Sequence, residues 1–267
     1  MILKIIYRIM DVMVHPSRIA TYFKDKVYTV IIHLLVALSL CIGTIALLAF
    51  NQNYFTRSFA DDFIPLVQQS NNVYDIEYKD DTMTGTRISI EYGNFVVYLS
   101  NNNYTKNDLG KYVLVFGQTG VSGYYNNKLQ FTEKYSDFGV RYSFELENVR
   151  NGSVDDQVVF ADLLAEAFDN FENVYALNVF VNEIEMLLMT TAIAFAIMLF
   201  YSYLINPTIK APVRLKLTVY DLLIFFFVYT MYEIIQISLL QYVAYVIPVL
   251  YTSITFRHII RISRKDV

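Results

Sequence analysis

The sequence predicts a membrane α-helical bundle of four transmembrane helices, with an inserted extracytoplasmic α+β domain built on an antiparallel sheet. Three observations predict it. The chain is 55% hydrophobic and only 17% charged, where a soluble domain is nearer a quarter charged. Its apolar runs are long enough to cross a bilayer. Every basic cluster outside the inserted segment falls on the same side of a four-span arrangement.

A helix needs roughly 20 mainly apolar residues to cross the hydrocarbon core. Residues 27–50, VYTVIIHLLVALSLCIGTIALLAF, meet that length. Residues 184–205 do so with Glu185 as the one interruption. Residues 219–256 carry two charges, Asp221 and Glu233. As one helix that run would be about 57 Å long at 1.5 Å per residue, nearly twice the core thickness. It reads as two spans, 219–237 and 240–256, with a tight turn near Gln236 and Gln241 that no Gly or Pro marks. The first run is longer than a signal-peptide core, follows a polar and basic lead and lacks a clean small-x-small cleavage site, so it reads as a signal anchor.

Lys and Arg favour the cytoplasmic side of short loops. Lys4, Arg8, Arg18, Lys24 and Lys26 precede the first span; Lys210, Arg214 and Lys216 follow the second; Arg257, Arg261, Arg264 and Lys265 follow the last. The expected layout is a cytoplasmic amphipathic and basic segment (1–26), span one (27–50), an extracytoplasmic domain (51–183), span two (184–205), a cytoplasmic basic loop (206–218), spans three and four, and a cytoplasmic basic tail (257–267). The expected location is the plasma membrane, multi-pass, with both termini inside. Lys4, Arg8, Arg18, Lys24, Lys26, Lys210, Arg214, Lys216, Arg257 and Arg261 are the expected lipid-facing cations. Ile2, Ile5, Ile6, Ile9 and Met13 share one helical face, which rests on the inner lipid surface or on the ends of the spans.

The stretch from Asn51 to Glu185 holds 20 acidic and 9 basic residues. Its first part, to Gln69, continues helically from span one and meets Ser70, Asn71 and Asn72. Strands follow. Residues 87–92 alternate, Gly93-Asn94 turns the chain, and 95–99 returns, a two-residue hairpin signal. Residues 111–116 make another strand, 124–131 a second hairpin broken by Asn126-Asn127, and 140–146 alternate again. The whole reads as an antiparallel meander. Then the period changes: Ser153-Val-Asp-Asp156 is a capping-box type start, and apolar residues recur at three and four from Phe160 to Tyr175. No Gly or Pro occurs in residues 153–206, which permits one helix running into span two.

Candidate chemistry is sparse. Glu233 is an ionisable group in an apolar run, four residues after Tyr229 and three before Gln236, and such a group is a functional hypothesis by default. It also fits headgroup depth at the outer end of span three. His33, in span one, either pairs with Glu233 as a proton or cation site or bonds a neighbour. Glu233, His33 and Gln236 form the candidate intramembrane polar site. Asp221 reads as a helix N-terminal acid favoured by the dipole. The doublets Asp61-Asp62, Asp80-Asp81 and Asp155-Asp156 lack the spacing of a calcium loop. The single cysteine, Cys41, rules out an intramolecular disulfide. His15, His33 and His258 all lie outside the external domain, which excludes a histidine triad or histidine metal site there. No catalytic, cofactor-binding or metal motif is present, and Gly117-Gln-Thr-Gly120 reads as a strand-end turn. Asn103-Tyr-Thr and Asn151-Gly-Ser match the glycosylation pattern.

His15-Pro16-Ser17-Arg18-Ile19-Ala20, with Lys24 and Lys26 directly before the first span, resembles a bacterial family of unknown function, domain-of-unknown-function family 1189, which includes maltodextrose-utilisation proteins. The single large external insertion and the closing spans with their basic tail support the resemblance. It implies a Gram-positive plasma membrane and a link to carbohydrate uptake, and no catalytic residues. The expected function is a non-enzymatic accessory or sensing role in which the acidic external domain binds a ligand or partner. The alternative is an oligomeric small transporter or channel component using Glu233; a membrane enzyme is the weakest reading. Expected partners are the lipid bilayer and another membrane protein or a second copy of this chain, with no nucleic acid and no cofactor.

Overall fold

The computed structural model describes residues 2–69, 74–100, 104, 108–139 and 143–265, with side chains described from 7 to 259 within those ranges. In chain order the helices are α1 (Ile2–Val14), α2 (Pro16–Ile19), α3 (Val27–Asn51), α4 (Arg57–Asp61), α5 (Ile64–Gln68), α6 (Leu146–Arg150), α7 (Val154–Asp169), α8 (Glu172–Ile205), α9 (Ala211–Ile235) and α10 (Ser238–Lys265). The strands are β1 (Glu77–Lys79), β2 (Thr82–Thr84), β3 (Ile88–Tyr92), β4 (Phe95–Leu99), β5 (Tyr112–Phe116), β6 (Gly120–Tyr125), β7 (Lys128–Lys134) and β8 (Phe144–Glu145). The chain forms two compact units: a helical one of Met1–Asn51 with Leu177–Val267, and a sheet-bearing one of Gln52–Ala176.

In the helical unit, α3, α8, α9 and the Ser238–Ile259 part of α10 are long and apolar enough to cross a membrane. Helix α9 is the centre: Tyr220 to Phe226 are all buried in sequence, as expected of a helix that is apolar all round. The outer faces of its neighbours stay apolar and exposed, with Leu40 and Leu47 on α3, Phe200 on α8 and Val246 and Leu250 on α10. An apolar belt of that extent is what a lipid-facing surface requires.

Two boundaries differ from expectation. Helix α9 begins at Ala211, not 219, so most of the expected basic loop is helix. Pro212 sits in its first turn, where the missing N–H costs nothing. Helix α10 runs on through the expected tail to Lys265. The turn between them needs neither Gly nor Pro. Gln236 takes a left-handed conformation at φ 56°, and its N–H closes on the Tyr232 carbonyl at 2.7 Å. That geometry costs a non-Gly residue about 1–2 kcal/mol, and the cap satisfies a carbonyl of the last turn.

The N-terminal segment packs on the ends of α9 and α10. Val12, Ile19 and Ala20 are fully buried, with Ile9 and Met13 against the same core. Lys216 Nζ donates to the Phe23 and Asp25 carbonyls at 2.6 and 2.9 Å. The Tyr251 hydroxyl donates to the Met13 carbonyl at 2.5 Å. Tyr7, Met10 and Val14 remain exposed on the opposite face.

The sheet-bearing unit holds a five-stranded sheet, order β3-β4-β5-β6-β7, and a three-stranded one, order β2-β1-β8. The predicted hairpins are present. Tyr92 pairs with Phe95 across a turn with Gly93 at φ 56°. Tyr125 pairs with Lys128 across Asn126 and Asn127, at φ 49° and 61°, the double left-handed geometry of the tightest hairpin turn. The meander is interrupted at one joint: β4 and β5 run parallel. The connection between them spans residues 100–111, the length a crossover needs and a hairpin does not. Strand β5, YVLVF, is buried at every residue, the continuous apolar pattern of a strand covered on both faces. One face carries Val97, Leu99, Leu114 and Phe116 into the main core with Phe160, Leu164 and Phe168 of α7. The other carries Val96, Val113 and Val115 against Tyr98, Tyr104 and Tyr124.

Both expected helix continuities are broken. Helix α3 stops at Asn51, and α4 and α5 are separate short helices. The 153–205 run breaks at Asn170 and Phe171. There the Asn170 amide reaches the Glu133 carboxylate at 3.1 Å and the Glu166 carbonyl at 3.4 Å. The Phe171 N–H turns to the Phe168 carbonyl, and its ring is fully buried. Burial of a large aromatic decides the break without a helix breaker. The capping start at Ser153 is present, with its side chain accepting from the Asp156 N–H. Of the strand expected over 140–146, residues 140–142 lie outside the described residues, Phe144–Glu145 pairs with β1, and Leu146 already begins α6. The 70–72 turn and Asn103 also lie outside them.

Gly120 has no room for a side chain: a Cβ there would stand 2.2 Å from the Glu133 carbonyl oxygen on β7. The obstacle is backbone and cannot swing aside. Gly120→Ala is therefore expected to cost about 1–3 kcal/mol by overpacking. Faster amide exchange confined to β6 and β7 would show it, and unchanged protection there would refute it.

Candidate functional site

Helix α9 positions a column of polar side chains inside a mainly apolar unit. Arg214, Thr218 and Asp221 are buried to within 1% of full burial. They share one face, at spacings of four and three, so they stack along the same side of the helix. Arg214 was expected to face lipid; instead it caps the end of α8. Its guanidinium donates to Ser202 Oγ at 3.1 Å, to the Asn206 carbonyl at 2.6 Å and to the Ile209 carbonyl at 3.4 Å. It lies 3.9 Å over the Tyr203 ring. Among the described residues no carboxylate pairs with it. The last carbonyls of a helix lack intrahelical donors, and a forked cation near a helix C-terminus supplies them.

Other expected lipid-facing cations are also engaged. Arg8 pairs with Asp25 at 2.8 Å and lies 4.2 Å from the Tyr22 ring centre. Arg18 pairs with Asp11 at 2.8 Å. Lys216 caps the turn at Phe23 and Asp25, as above. Lys24, Lys26, Lys210 and Arg257 are exposed; the side chains of Lys4 and Arg261 lie outside the described residues. Asp11 also accepts from the Tyr22 hydroxyl. That bond, followed by Arg18, holds the Asp11 carboxyl below the usual carboxylate range. Burial, then Asp11 itself, pushes the Tyr22 hydroxyl up to about 12. The residues of the His15-Pro16-Ser17-Arg18-Ile19-Ala20 motif thus dock the segment: Pro16 opens α2, Ile19 and Ala20 are buried, and His15 and Arg18 both face Asp11.

The expected His33–Glu233 pair is not formed. His33 is buried, with Nδ1 at 2.6 Å from the Thr29 carbonyl of its own helix and its ring 5.7 Å from that of Tyr220. Glu233 lies thirteen residues beyond Tyr220 on α9, about 20 Å at 1.5 Å per residue. Gln236 is exposed on the α9–α10 turn and joins neither. Glu183 of α8 and Tyr229 of its own helix stand near enough to Glu233 to act on it electrostatically. Glu233 Oε1 and the Tyr229 hydroxyl are buried and make no hydrogen bond among the described residues. Two carboxylates from different helices and a phenol form a polar group that sequence spacing did not assemble.

In the sheet-bearing unit the acidic doublets serve the fold. Asp61 pairs with Arg57, and Asp62 accepts from the Tyr92 hydroxyl. Asp80 and Asp81 both take left-handed conformations in the β1–β2 turn. Gly117 and Gly120 close the β5–β6 turn at 2.8 Å. Among the described residues no group of three His, Cys, Asp or Glu is placed to hold a metal. The second face of the sheet presents a tyrosine cluster. Tyr98 donates to Asp108 at 3.0 Å, and the Tyr104 and Tyr124 ring centres are 4.6 Å apart. Burial, then Asp108, pushes the Tyr104 hydroxyl up to about 12. Compared with known proteins, the chain matches no family model, no curated sequence and no solved structure.

Proposed function

We propose that the chain is a non-enzymatic integral protein of a bacterial plasma membrane, with both termini inside and the acidic sheet domain outside. That domain binds a ligand or partner, and α8 carries the resulting shift to the buried polar column of α9. One observation carries this reading: α8 is a single helix from Glu172 to Ile205. Tyr175, in its first turn, packs in the aromatic cluster of the sheet domain, 4.8 Å from Tyr54 and 5.2 Å from Tyr112. Its later residues Leu187, Ala194 and Met198 are buried in the helical core with α9. Its first turn belongs to the sheet-bearing unit and its remainder to the helical unit, and a continuous helix is one route by which a shift passes along the chain. The tyrosine cluster with Asp108 and Asn127 suits a ligand with apolar faces and a hydroxyl rim, and supports the link to carbohydrate uptake that the motif resemblance implies.

The test uses a photoreactive residue at position 124 in cells. It is expected to crosslink an envelope or transport protein and to slow amide exchange in α9. Two glycines inserted after Leu177 are expected to leave the crosslink and abolish the α9 response. No crosslinked partner, or an α9 response that survives the insertion, rejects the reading. A second reading, a small oligomeric transporter or channel component, rests on the Glu183, Glu233 and Tyr229 group. A transport phenotype unaffected by Glu233→Gln eliminates it.

A further inference from the structure

Asp221 lies in the centre of the helical unit and is fully buried. Two hydroxyls of α10, Thr252 and Thr255, stand against its carboxylate, and among the described residues no charged group acts on it. Thr255 Oγ1 donates to Oδ1 at 2.8 Å. Three other oxygens nearby on these two helices, Asp221 Oδ2, Thr252 Oγ1 and Thr218 Oγ1, are buried without a hydrogen-bond partner among the described residues. Arg214, two turns earlier on α9, directs its two terminal nitrogens at Ser202, Asn206 and Ile209. Pro16, the residue of α2 that meets this group, offers a backbone carbonyl.

A buried carboxylate without a counter-charge is strongly disfavoured, and one hydroxyl bond does not offset that. Some positive charge must reside there. Divalent cations take six or more oxygen ligands, whereas this group offers one carboxylate and three hydroxyls. A proton needs one acceptor, and Thr252 Oγ1 supplies it.

We propose that Asp221, Thr252 and Thr255 form a buried site for one exchangeable proton, carried on Asp221 Oδ2 and donated to Thr252 Oγ1. Binding forms one O–H bond and breaks none in the protein; the proton comes from water and returns to it. The site is linked to the N-terminal segment through Thr255. Its single hydroxyl hydrogen has two acceptors, Asp221 Oδ1 at 2.8 Å and the Pro16 carbonyl at 3.4 Å. Ionised Asp221 claims that hydrogen; protonated Asp221 competes for it less, and α2 gains it. This site stands independently of the ligand-sensing reading.

The experiment is infrared difference spectroscopy on the full chain in lipid nanodiscs. At neutral pH the carbonyl stretch of a neutral carboxylic acid is expected, lost in Asp221→Asn and shifted in Thr252→Val. Asn keeps the shape, and its amide can donate to Thr252, so Asp221→Asn is expected to fold. Should it not, the Thr252→Val shift alone decides. An unshifted band in Thr252→Val, or ionised-carboxylate bands alone at neutral pH, overturns the proposal. A carboxylate band that moves when sodium replaces potassium also overturns it, by showing a metal cation in the proton's place.

Discussion

Arg214→Ala is expected to destabilise the helical unit by about 3–5 kcal/mol, because removing a buried, hydrogen-bonded charge strands its partners. The Asn206 and Ile209 carbonyls would lose their donor in the connection between α8 and α9, and Ser202 Oγ would lose its contact with the guanidinium. The stacking over Tyr203 would go too, a contribution of up to about 2 kcal/mol when desolvated. These losses overlap and do not add. Arg214→Lys is expected to recover little, since an ammonium is a point donor and cannot span three acceptors as a planar fork does. The measurement is the thermal midpoint in detergent followed by tyrosine near-ultraviolet circular dichroism. A drop equivalent to less than about 1 kcal/mol, the size of a surface ion pair, would show that Arg214 behaves as the lipid-facing surface cation its sequence context suggests.

That result bears on what the sequence could reveal. The long apolar helices were legible because length and apolarity are local properties: residues 27–50 and α3 (Val27–Asn51) agree to one residue. Hairpins were legible where turn chemistry is local, as at Gly93 and Asn126-Asn127. The parallel β4–β5 pairing was not, since nothing within either strand states which neighbour it chooses; the long 100–111 connection was the available clue. The break at Asn170 was hidden for the same reason. No residue there is a helix breaker, and the decision belongs to Glu133, Glu166 and the core that receives Phe171.

The site was less legible than the fold. Counting Lys and Arg treats every cation as equivalent, yet Arg214 is buried while Lys210, four residues earlier, is exposed. Asp221 read as an N-terminal acid because α9 was expected to begin at 219; with the start at Ala211 it lies three turns inside. A signal did exist. Arg214, Thr218 and Asp221 repeat at helical spacing through an apolar run, and Thr252 and Thr255 do so opposite them. His33 and Glu233 were linked by rarity alone, and rarity carries no depth. From the helix starts the structure shows, Val27 and Ala211, they lie more than four turns apart in depth.

In the sheet-bearing unit the largest effect is expected at Phe168. Its ring is fully buried, with ring centres of Phe59 at 5.2 Å, Phe55, Phe63 and Phe95 at 5.6 Å and Phe171 at 6.3 Å. Deleting a buried Phe to Ala costs about 3–5 kcal/mol, through lost transfer energy and the cavity left behind. A domain of this size holds about 5–15 kcal/mol in total, so Phe168→Ala removes a large share of it. Edge-to-face pairs add to the loss, and the surrounding rings come from α4 and the residues flanking it, β4 and the 170–171 break, which relax poorly together. The loss should appear as faster amide exchange across β4 and β5, the strands under the cluster. Val158→Ala, on the exposed side of α7, is the control and should stay within about 0.5 kcal/mol. Equal exchange in the two variants would mean that the aromatic cluster is not the core of this unit, and the first turn of α8 would then have nothing rigid to report.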